Sequence, residues 1–267
     1  MSNGISYHAE IHSRKTGLPN LLLLHGFMGS GEGFTKLIGQ LKYKSNPITI
    51  DLAGHGRTDT PTTDPERFTA EHQVNDLISI LDRFRFNNFW LYGYSMGGRL
   101  SQHLYLKDPA RFKGIILEST HCGITSKKAR QQRRKVDEQR AQAIESDYPG
   151  FLDRWKSLSL FKGSHQTGTA LYDSVMNQQA PSLIAASLRG FGAGTMPAVC
   201  NRISTIKCPT LLICGADDEK YVDKMREMNN LIRGSEYNII ERAGHRVHAD
   251  QPNRITTLIT KFFDNYA

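Results

Sequence analysis

Residues 93–99 read Gly-Tyr-Ser-Met-Gly-Gly-Arg and directly follow the apolar run at 88–92. This G-x-S-x-G pattern needs a strand that turns sharply into a helix, because that turn lifts the serine side chain clear of the sheet. Glycine is needed on both sides of Ser95, since a larger residue would collide with the neighbouring strand and helix. The pattern therefore predicts a strand–turn–helix unit that presents Ser95 for chemistry.

Short apolar runs alternate with helical patterns along most of the chain, which is typical of a mainly parallel sheet with helices on both faces. Each run is continuously apolar and bounded by turn residues, as expected of a strand buried on both faces. The predicted strands are residues 20–25, 48–51, 89–93, 113–118, 210–215 and 236–240. The predicted helices are residues 35–41, 69–84, 96–107, 222–232 and 255–265. An antiparallel pair of strands is also expected within residues 4–12.

The alternation stops between residues 120 and 206, where the sequence is rich in charged residues, Gln and Ser. Amphipathic patterns at 127–146, 151–158 and 182–189 indicate helices, and no parallel strand is expected. A segment this long is not an ordinary loop. We therefore predict an α/β core over residues 1–119 and 207–267, with a helical cap inserted at 120–206.

The formal net charge is +8, and seven of the basic residues fall within 126–140. No nucleic-acid motif and no interleaved aromatic residues accompany them, so nucleic acid is not an expected partner. Most of these charges are interpreted as a solvated helix face. No run of about 18 apolar residues occurs, so no membrane span is expected. No signal peptide is expected either.

The four cysteines show no C-x-x-C spacing, which favours free thiols in a reducing cytoplasm. Cys214 ends an apolar run and is interpreted as a small core residue.

A serine of this kind needs a base within hydrogen-bonding reach and an acid that orients the base. In sheets with this turn, the chain order is Ser, then Asp or Glu, then His. Asp218 follows one predicted strand and His245 follows the last, at the carboxyl ends where such sheets build their sites. We predict a Ser95–His245–Asp218 triad, with Asp217 and His248 as the competing acid and base.

Backbone N–H groups are expected to stabilise a negative oxygen at this site. The first predicted strand leads into His25-Gly26-Phe27, and in this architecture an N–H after that strand acts together with the N–H that follows the serine. These groups belong to Phe27 and Met96. His25 and His55 are interpreted as structural hydrogen-bonding residues.

Arg99 lies four residues after Ser95, so on a helix both residues occupy one face. A simple esterase does not need this guanidinium, and its presence indicates an anionic substrate.

With these motifs assembled, the chain resembles the α/β-hydrolase superfamily over nearly its whole length. The resemblance rests on motifs that occur in order: His25-Gly26, Asp51-x-x-Gly54-His55-Gly56, Gly93-x-Ser95-x-Gly97-Gly98, Asp218 and Gly244-His245. A narrower resemblance is to the synthases that make 2-succinyl-6-hydroxy-2,4-cyclohexadiene-1-carboxylate in menaquinone biosynthesis. It rests on residues 93–99, Leu117-Glu118-Ser119-Thr120, Arg133-Arg134-x-Val136-Asp137, Trp155 and the 190–197 segment.

The narrower resemblance implies a lyase that removes a proton from a cyclohexene ring and eliminates pyruvate. Ser95 would then act as the base, and the Phe27 and Met96 amides would stabilise an enolate-like oxygen. The substrate carries several carboxylates, which arginine binds in bidentate fashion. Arg99 and Arg133 are the expected carboxylate-binding residues, with Tyr94 and Trp155 shaping the pocket.

Two other basic cap residues have no single predicted role. Arg130 and Arg134 fit a solvated helix face as well as they fit carboxylate binding. The family tends to have a further carboxylate-binding arginine where this chain has Met176, and the sequence leaves open whether Arg189 replaces it.

Two further functions stay open at this point. One is a carboxylesterase or carbon–carbon-bond hydrolase with Ser95 as a covalent nucleophile. The other is a catalytically silent module that binds an anionic partner, which the complete triad disfavours. No metal cluster or nucleotide loop is evident, so no cofactor and no metal are expected. The expected partner is a small polycarboxylate, bound by a cytoplasmic monomer or homodimer.

Overall fold

A computed structural model describes residues 4–84, 86, 88–161 and 166–267. In this part of the chain, seven strands form one sheet in the order β1-β3-β2-β4-β5-β6-β7. All neighbouring pairs are parallel except β1 and β3. The strands are β1 (Ala9–Ile11), β2 (Asn20–Leu24), β3 (Asn46–Ile50), β4 (Phe89–Tyr94), β5 (Phe112–Glu118), β6 (Thr210–Gly215) and β7 (Glu236–Ile240). The predicted α/β class with a mainly parallel sheet is thus confirmed.

Helices cover both faces of the sheet and fill the segment between β5 and β6. They are α1 (Thr35–Leu41), α2 (Ala70–Arg83), α3 (Met96–Lys107), α4 (Lys127–Ser146), α5 (Tyr148–Lys156), α6 (Gln166–Asn177), α7 (Pro181–Phe191), α8 (Glu219–Leu231), α9 (Val247–Asp250) and α10 (Pro252–Tyr266). The sequence patterns did not predict α6. Within the described parts of the chain, no helix is both long and apolar enough to cross a membrane.

The expected antiparallel pair within residues 4–12 is wrong. Only β1 forms there, and it pairs with β3 through Ala9 opposite Ile50, while Ser6 forms an isolated bridge with Asp59. Without β1, β3 would be the sheet edge with unpaired backbone groups, so the segment pairs with a distant strand rather than with itself.

The core has two apolar layers because every central strand is buried on both faces. In β2, Leu22 and Leu24 pack on the side of α2, α3 and α8. Leu21 and Leu23 pack on the other side, with α1 and α10. This alternation is the two-residue period of a strand.

Helices α4–α7 form a third apolar cluster above the carboxyl ends of the strands. Its members are Met28, Ala141, Ile144, Phe151, Leu152, Tyr172, Met176, Ile184, Ala185, Leu188 and Ala249. Met28 follows β2 and Ala249 lies in α9, so the cap helices pack directly on the loops of the core. The core and cap boundaries at 119/120 and 206/207 stay a prediction.

The expectation that all four cysteines are free thiols is wrong. Cys122 and Cys200 form a disulfide, whereas Cys208 and Cys214 are free. The partners lie 78 residues apart in the sequence, so spacing alone does not reveal them. They meet because the start and end of the cap run side by side, with the Val199 N–H donating to the Cys122 carbonyl at 2.8 Å. Cys214 is fully buried, as predicted.

Candidate active site

Ser95 stands at a strained turn between β4 and α3, with φ 51° and ψ −109°. The glycines around it have steric causes. A Cβ on Gly97 would lie 2.1 Å from the Leu24 carbonyl oxygen, and one on Gly93 would lie 2.3 Å from Ser101 Oγ. The turn therefore forms only with glycine at both positions, and it leaves the Ser95 side chain at the carboxyl end of the central strand.

The structure brings Ser95, His245 and Asp218 into one hydrogen-bonded chain. Ser95 Oγ lies 2.9 Å from His245 Nε2, and His245 Nδ1 lies 2.7 Å from Asp218 Oδ2. Because a carboxylate can only accept, Nδ1 carries the ring proton and Nε2 accepts from the Ser95 hydroxyl. His245 and Asp218 are buried. Asp218 immediately precedes α8 and His245 follows β7, so the strand ends supply both groups.

Two tyrosines pack against the His245 ring. The ring centroids lie 4.5 Å away for Tyr221 and 5.3 Å away for Tyr94. Burial raises the pKa of both phenols, so they stay neutral. Tyr94 was a predicted pocket residue. Tyr221 was not, and its place in the first turn of α8, three residues after Asp218, is the signal that points to it.

Neither competing residue takes part in this chain of hydrogen bonds. The Asp217 backbone N–H donates to the Ala243 carbonyl, and among the two neighbouring carboxylates only Asp218 bonds to His245. His248 instead bonds to Glu118 through both its backbone N–H and its Nδ1. His248 and Glu118 belong to a buried polar network with Tyr92 and Tyr172 behind the site.

The predicted oxyanion donors occupy positions with free backbone N–H groups. Phe27 lies in a turn closed by a hydrogen bond from the Gly29 N–H to the Gly26 carbonyl at 3.0 Å. Met96 is the first residue of α3, where an N–H has no partner within its own helix. Neither N–H has an acceptor in the part of the chain that the structure describes.

His25 and His55 have structural contacts, as predicted. His25 Nε2 accepts from the Leu52 N–H at 2.9 Å and Nδ1 donates to the Gly26 carbonyl at 2.8 Å. Burial lowers the pKa of both imidazoles, that of His55 to about 3. Both rings are therefore neutral at pH 7.

A cavity of about 680 Å³ opens above Ser95, between the core and the cap. Its walls include Phe27, Tyr94, Arg99, Arg133, Arg140, Trp155, Phe161, Tyr172, Asp218, Lys220, Tyr221, His245 and Arg246. This volume is typical of a site for a small molecule. No group of three or more His, Cys, Asp or Glu side chains among the described residues is arranged to hold a metal ion.

Arg99 reaches this cavity as a buried cation. Its Nη1 donates to the Phe191 carbonyl at 3.1 Å and contacts Met196 Sδ at 3.2 Å. It forms no ion pair with a carboxylate of the described residues. Burial is the main reason that the pKa of this guanidinium falls to about 10. The side chain stays charged at pH 7, without an ion-paired carboxylate among the described residues.

Arg133 also reaches the cavity, but it is paired. Its Nε donates to Asp137 at 2.7 Å, and Arg140 lies 3.8 Å from the same carboxylate. Arg140 also stacks over the Trp155 ring, 5.3 Å from its centroid. The sequence analysis predicted Arg133 and Trp155 as pocket residues but not Arg140. Arg140 lies one helical turn after Asp137, and this spacing brings it to the same carboxylate.

Three other basic cap residues, Arg130, Arg134 and Arg189, do not line the cavity. Arg130 and Arg134 donate to backbone carbonyls of residues 194 and 195. Arg189 pairs with Glu138 and Glu145 at 3.0 and 2.6 Å, and these bonds raise its pKa. Arg189 therefore does not place a charge in the cavity and does not replace the arginine that the family tends to have at the position of Met176.

Arg246 is a third cavity residue that was not predicted from the sequence, although it follows His245 directly. Its Nη2 lies 3.9 Å from the sulfur of Met176, which is buried.

These features define an α/β enzyme scaffold with a cavity above the hydrogen-bonded chain of Ser95, His245 and Asp218. A family model described as the alpha/beta hydrolase fold matches residues 19–252, and the chain belongs to this family.

Similarity to named relatives extends over nearly the whole chain. A Bacillus subtilis (strain 168) protein named putative 2-succinyl-6-hydroxy-2,4-cyclohexadiene-1-carboxylate synthase is 31% identical over 98% of this chain and 96% of its own length. The synthase of that name from Escherichia coli O1:K1 / APEC is 26% identical over 92% of this chain and 94% of its own. The solved structure of MenH from S. aureus superposes with a TM-score of 0.88 at 29% identity, covering 99% of both chains.

Proposed function

We propose that this chain is a 2-succinyl-6-hydroxy-2,4-cyclohexadiene-1-carboxylate synthase, a carbon–oxygen lyase of menaquinone biosynthesis. The observation that carries this proposal is the hydrogen-bonded chain Ser95–His245–Asp218, which opens into a cavity containing the unpaired guanidinium of Arg99. The whole-length similarity to synthases of this name supports it.

In the proposed reaction, Ser95 acts as the base. As the hydroxyl proton moves to His245 Nε2, the Ser95 oxygen takes a proton from the cyclohexene ring. The electron pair of the broken C–H bond forms a ring double bond and expels the enolpyruvyl oxygen. The leaving group takes a proton from the imidazolium and becomes pyruvate. Asp218 stabilises the imidazolium and fixes its tautomer.

The Phe27 and Met96 N–H groups are proposed to stabilise the negative oxygen that develops during proton removal. One such donor is typically worth about 3 kcal/mol of transition-state stabilisation. Arg99 and Arg133 are proposed to orient substrate carboxylates, with Tyr94 and Trp155 as walls of the pocket. The desolvated Arg99 gains most from such pairing, because water does not screen it.

The decisive assay follows pyruvate release from the enolpyruvyl cyclohexene precursor, beside hydrolysis of a neutral ester. We expect pyruvate release with a much higher kcat/KM than ester cleavage. Efficient ester cleavage without pyruvate release would instead support the carboxylesterase or carbon–carbon-bond hydrolase.

Intact-protein mass spectrometry separates a base from a covalent nucleophile. If Ser95 is a base, no adduct accumulates on the protein during turnover, even after rapid acid quenching. A substrate-derived mass on Ser95 would contradict this step and assign the residue as a nucleophile.

The proposed enzyme uses no cofactor, acts in the cytoplasm on a small polycarboxylate, and is a monomer or homodimer. These points stay predictions. Size-exclusion chromatography with light scattering tests the oligomeric state, and turnover by purified protein dialysed against a chelator tests the cofactor.

A further inference from the structure

We propose that Arg246 is a substrate-binding residue that holds a carboxylate of the substrate on a different side of the cavity from Arg99. The identity of that substrate rests on the proposed function. The presence of an anion site at Arg246 rests on the geometry described below.

The Arg246 guanidinium lies over two aromatic rings of the cap. Its guanidinium carbon lies 4.0 Å from the ring centroid of Tyr172 in α6 and 4.3 Å from that of Phe161. The Tyr172 ring is itself fixed by a hydrogen bond to His248. Stacking uses the faces of the guanidinium and leaves its N–H edge available for hydrogen bonds. All three stacked residues line the cavity above Ser95.

Among the described residues, Arg246 has no carboxylate partner. Arg246 is only 8% exposed, and no carboxylate of the described residues lies within ion-pairing distance of it. The residues outside the description have no carboxylate side chain; they are Met1, Ser2, Asn3, Arg85, Asn87, Lys162, Gly163, Ser164 and His165. A buried cation without a partner is unfavourable. An anionic ligand entering the cavity would supply the missing charge.

Other arginines of the cap show that this arrangement is not general. Arg189 has two carboxylate partners and Arg133 has one, and both are more exposed than Arg246. Arg189, which does not line the cavity, is thus neutralised by carboxylates, whereas Arg246 has no carboxylate partner among the described residues and lies where a ligand can reach it.

Arg99 and Arg246 contact different parts of the cap. Arg99 bonds to the end of α7 and the segment after it, whereas Arg246 contacts α6 and the turn at Phe161. Arg246 also touches the buried Met176 on α6. Arg246, which lies in the loop after β7, therefore places a positive charge beside position 176. Met176 itself is apolar and supplies no charge there.

Kinetics of three variants test this role on pyruvate release. Arg246→Gln should raise KM by roughly 10- to 100-fold, the usual range for losing hydrogen bonds to a charged group, with a smaller effect on kcat. Arg254→Gln is the matched control, because Arg254 is exposed and bonds only to a backbone carbonyl. The double variant Met176→Arg/Arg246→Met moves the guanidinium onto α6 and should recover part of the lost affinity. An unchanged KM in Arg246→Gln overturns the proposal.

Binding of succinate by calorimetry separates this proposal from the proposed reaction, because succinate is a dicarboxylate that needs no turnover. Wild type and Arg254→Gln should bind it, and Arg246→Gln should bind it at least about tenfold more weakly. If wild type releases no pyruvate yet Arg246→Gln still loses succinate, the reaction is wrong and the carboxylate site stands. Equal affinities, or no binding to wild type, overturn the carboxylate site even if pyruvate is released.

Discussion

Replacing Arg99 with Met should make the protein more stable and less active at the same time. Arg99 is buried without a carboxylate partner among the described residues, and burial lowers the pKa of its guanidinium from the usual 12.5 to about 10. That difference corresponds to roughly 3 kcal/mol against the charged form in the folded protein. At pH 7, below both values, the side chain is charged whether the protein is folded or unfolded. Removing the charge therefore relieves a cost that only the folded state bears.

The gain is reduced by the contacts that Arg99 makes. Its hydrogen bond to the Phe191 carbonyl is worth about 1 kcal/mol, and Met keeps most of the packing volume. The expected net stabilisation is about 2 kcal/mol, which for a chain of this length raises Tm by about 4 °C. The Arg99→Met variant has no cation to pair with a substrate carboxylate, so kcat/KM for pyruvate release should fall about 100-fold.

Thermal denaturation without substrate and the pyruvate assay measure the two effects on one preparation. Arg134→Met is the matched control, because Arg134 is exposed, bonds to the Gly194 carbonyl and lies outside the cavity wall. It should change Tm by about 1 °C at most and leave turnover intact. A lower Tm for Arg99→Met would refute the reasoning, since Arg99 would then stabilise the fold through its bonds to Phe191 and Met196.

Three other perturbations test the site and the cap. Ser95→Ala should lower pyruvate release at least about a thousandfold while Tm stays nearly constant, and retained activity would remove Ser95 from the reaction. Arg133→Ala should raise KM more than Arg134→Ala does, because only Arg133 lines the cavity; equal effects in steady-state assays would contradict that assignment. Reducing the Cys122–Cys200 disulfide should lower the free energy of unfolding by about 4 kcal/mol, since it closes a long loop. Urea denaturation with and without dithiothreitol measures this, and coincident curves would argue against the bond.

The parts of the fold that follow from local patterns are those that the sequence predicts well. The helices Thr35–Leu41 and Met96–Lys107 and the strands β6 and β7 have the predicted bounds. Each carries an apolar periodicity that is complete within a few neighbouring residues. Helix α8 begins three residues before its predicted start because the apolar pattern begins only after its first turn.

The features that were missed depend on contacts between distant segments. Helix α6 contains glycine and several β-branched residues of weak helix propensity, so its sequence does not identify it as a helix. Strand β1 finds its partner some 40 residues away in β3, and the cysteine pair joins the two ends of the cap. Such pairings are decided by the assembled fold and leave no periodic signal.

The residues of the candidate site fall into the same two groups: some follow from local sequence patterns, and others depend on contacts between distant segments. Chain order and strand ends singled out Ser95, Asp218 and His245, because the fold fixes where those loops lie. The choice between Asp218 and Asp217 depends on loop torsions that local sequence does not encode, and in the structure Asp218 is the one that bonds to His245. The orientation of Arg246 depends on Tyr172 and Phe161, which lie in a part of the cap that sequence patterns described poorly.

The distribution of counterions says more about the ligand than the net charge does. A surplus of eight positive charges is compatible with many anionic partners. In the cap, however, Arg189 is neutralised by two glutamates, and Arg133 and Arg140 share Asp137. Arg99 and Arg246 have no carboxylate among the described residues, and both face the cavity above Ser95. Since an unpaired buried charge is costly, its persistence at two points of one cavity indicates a ligand with at least two anionic groups. A neutral ester would leave both charges uncompensated, which favours the polycarboxylate lyase over a general esterase.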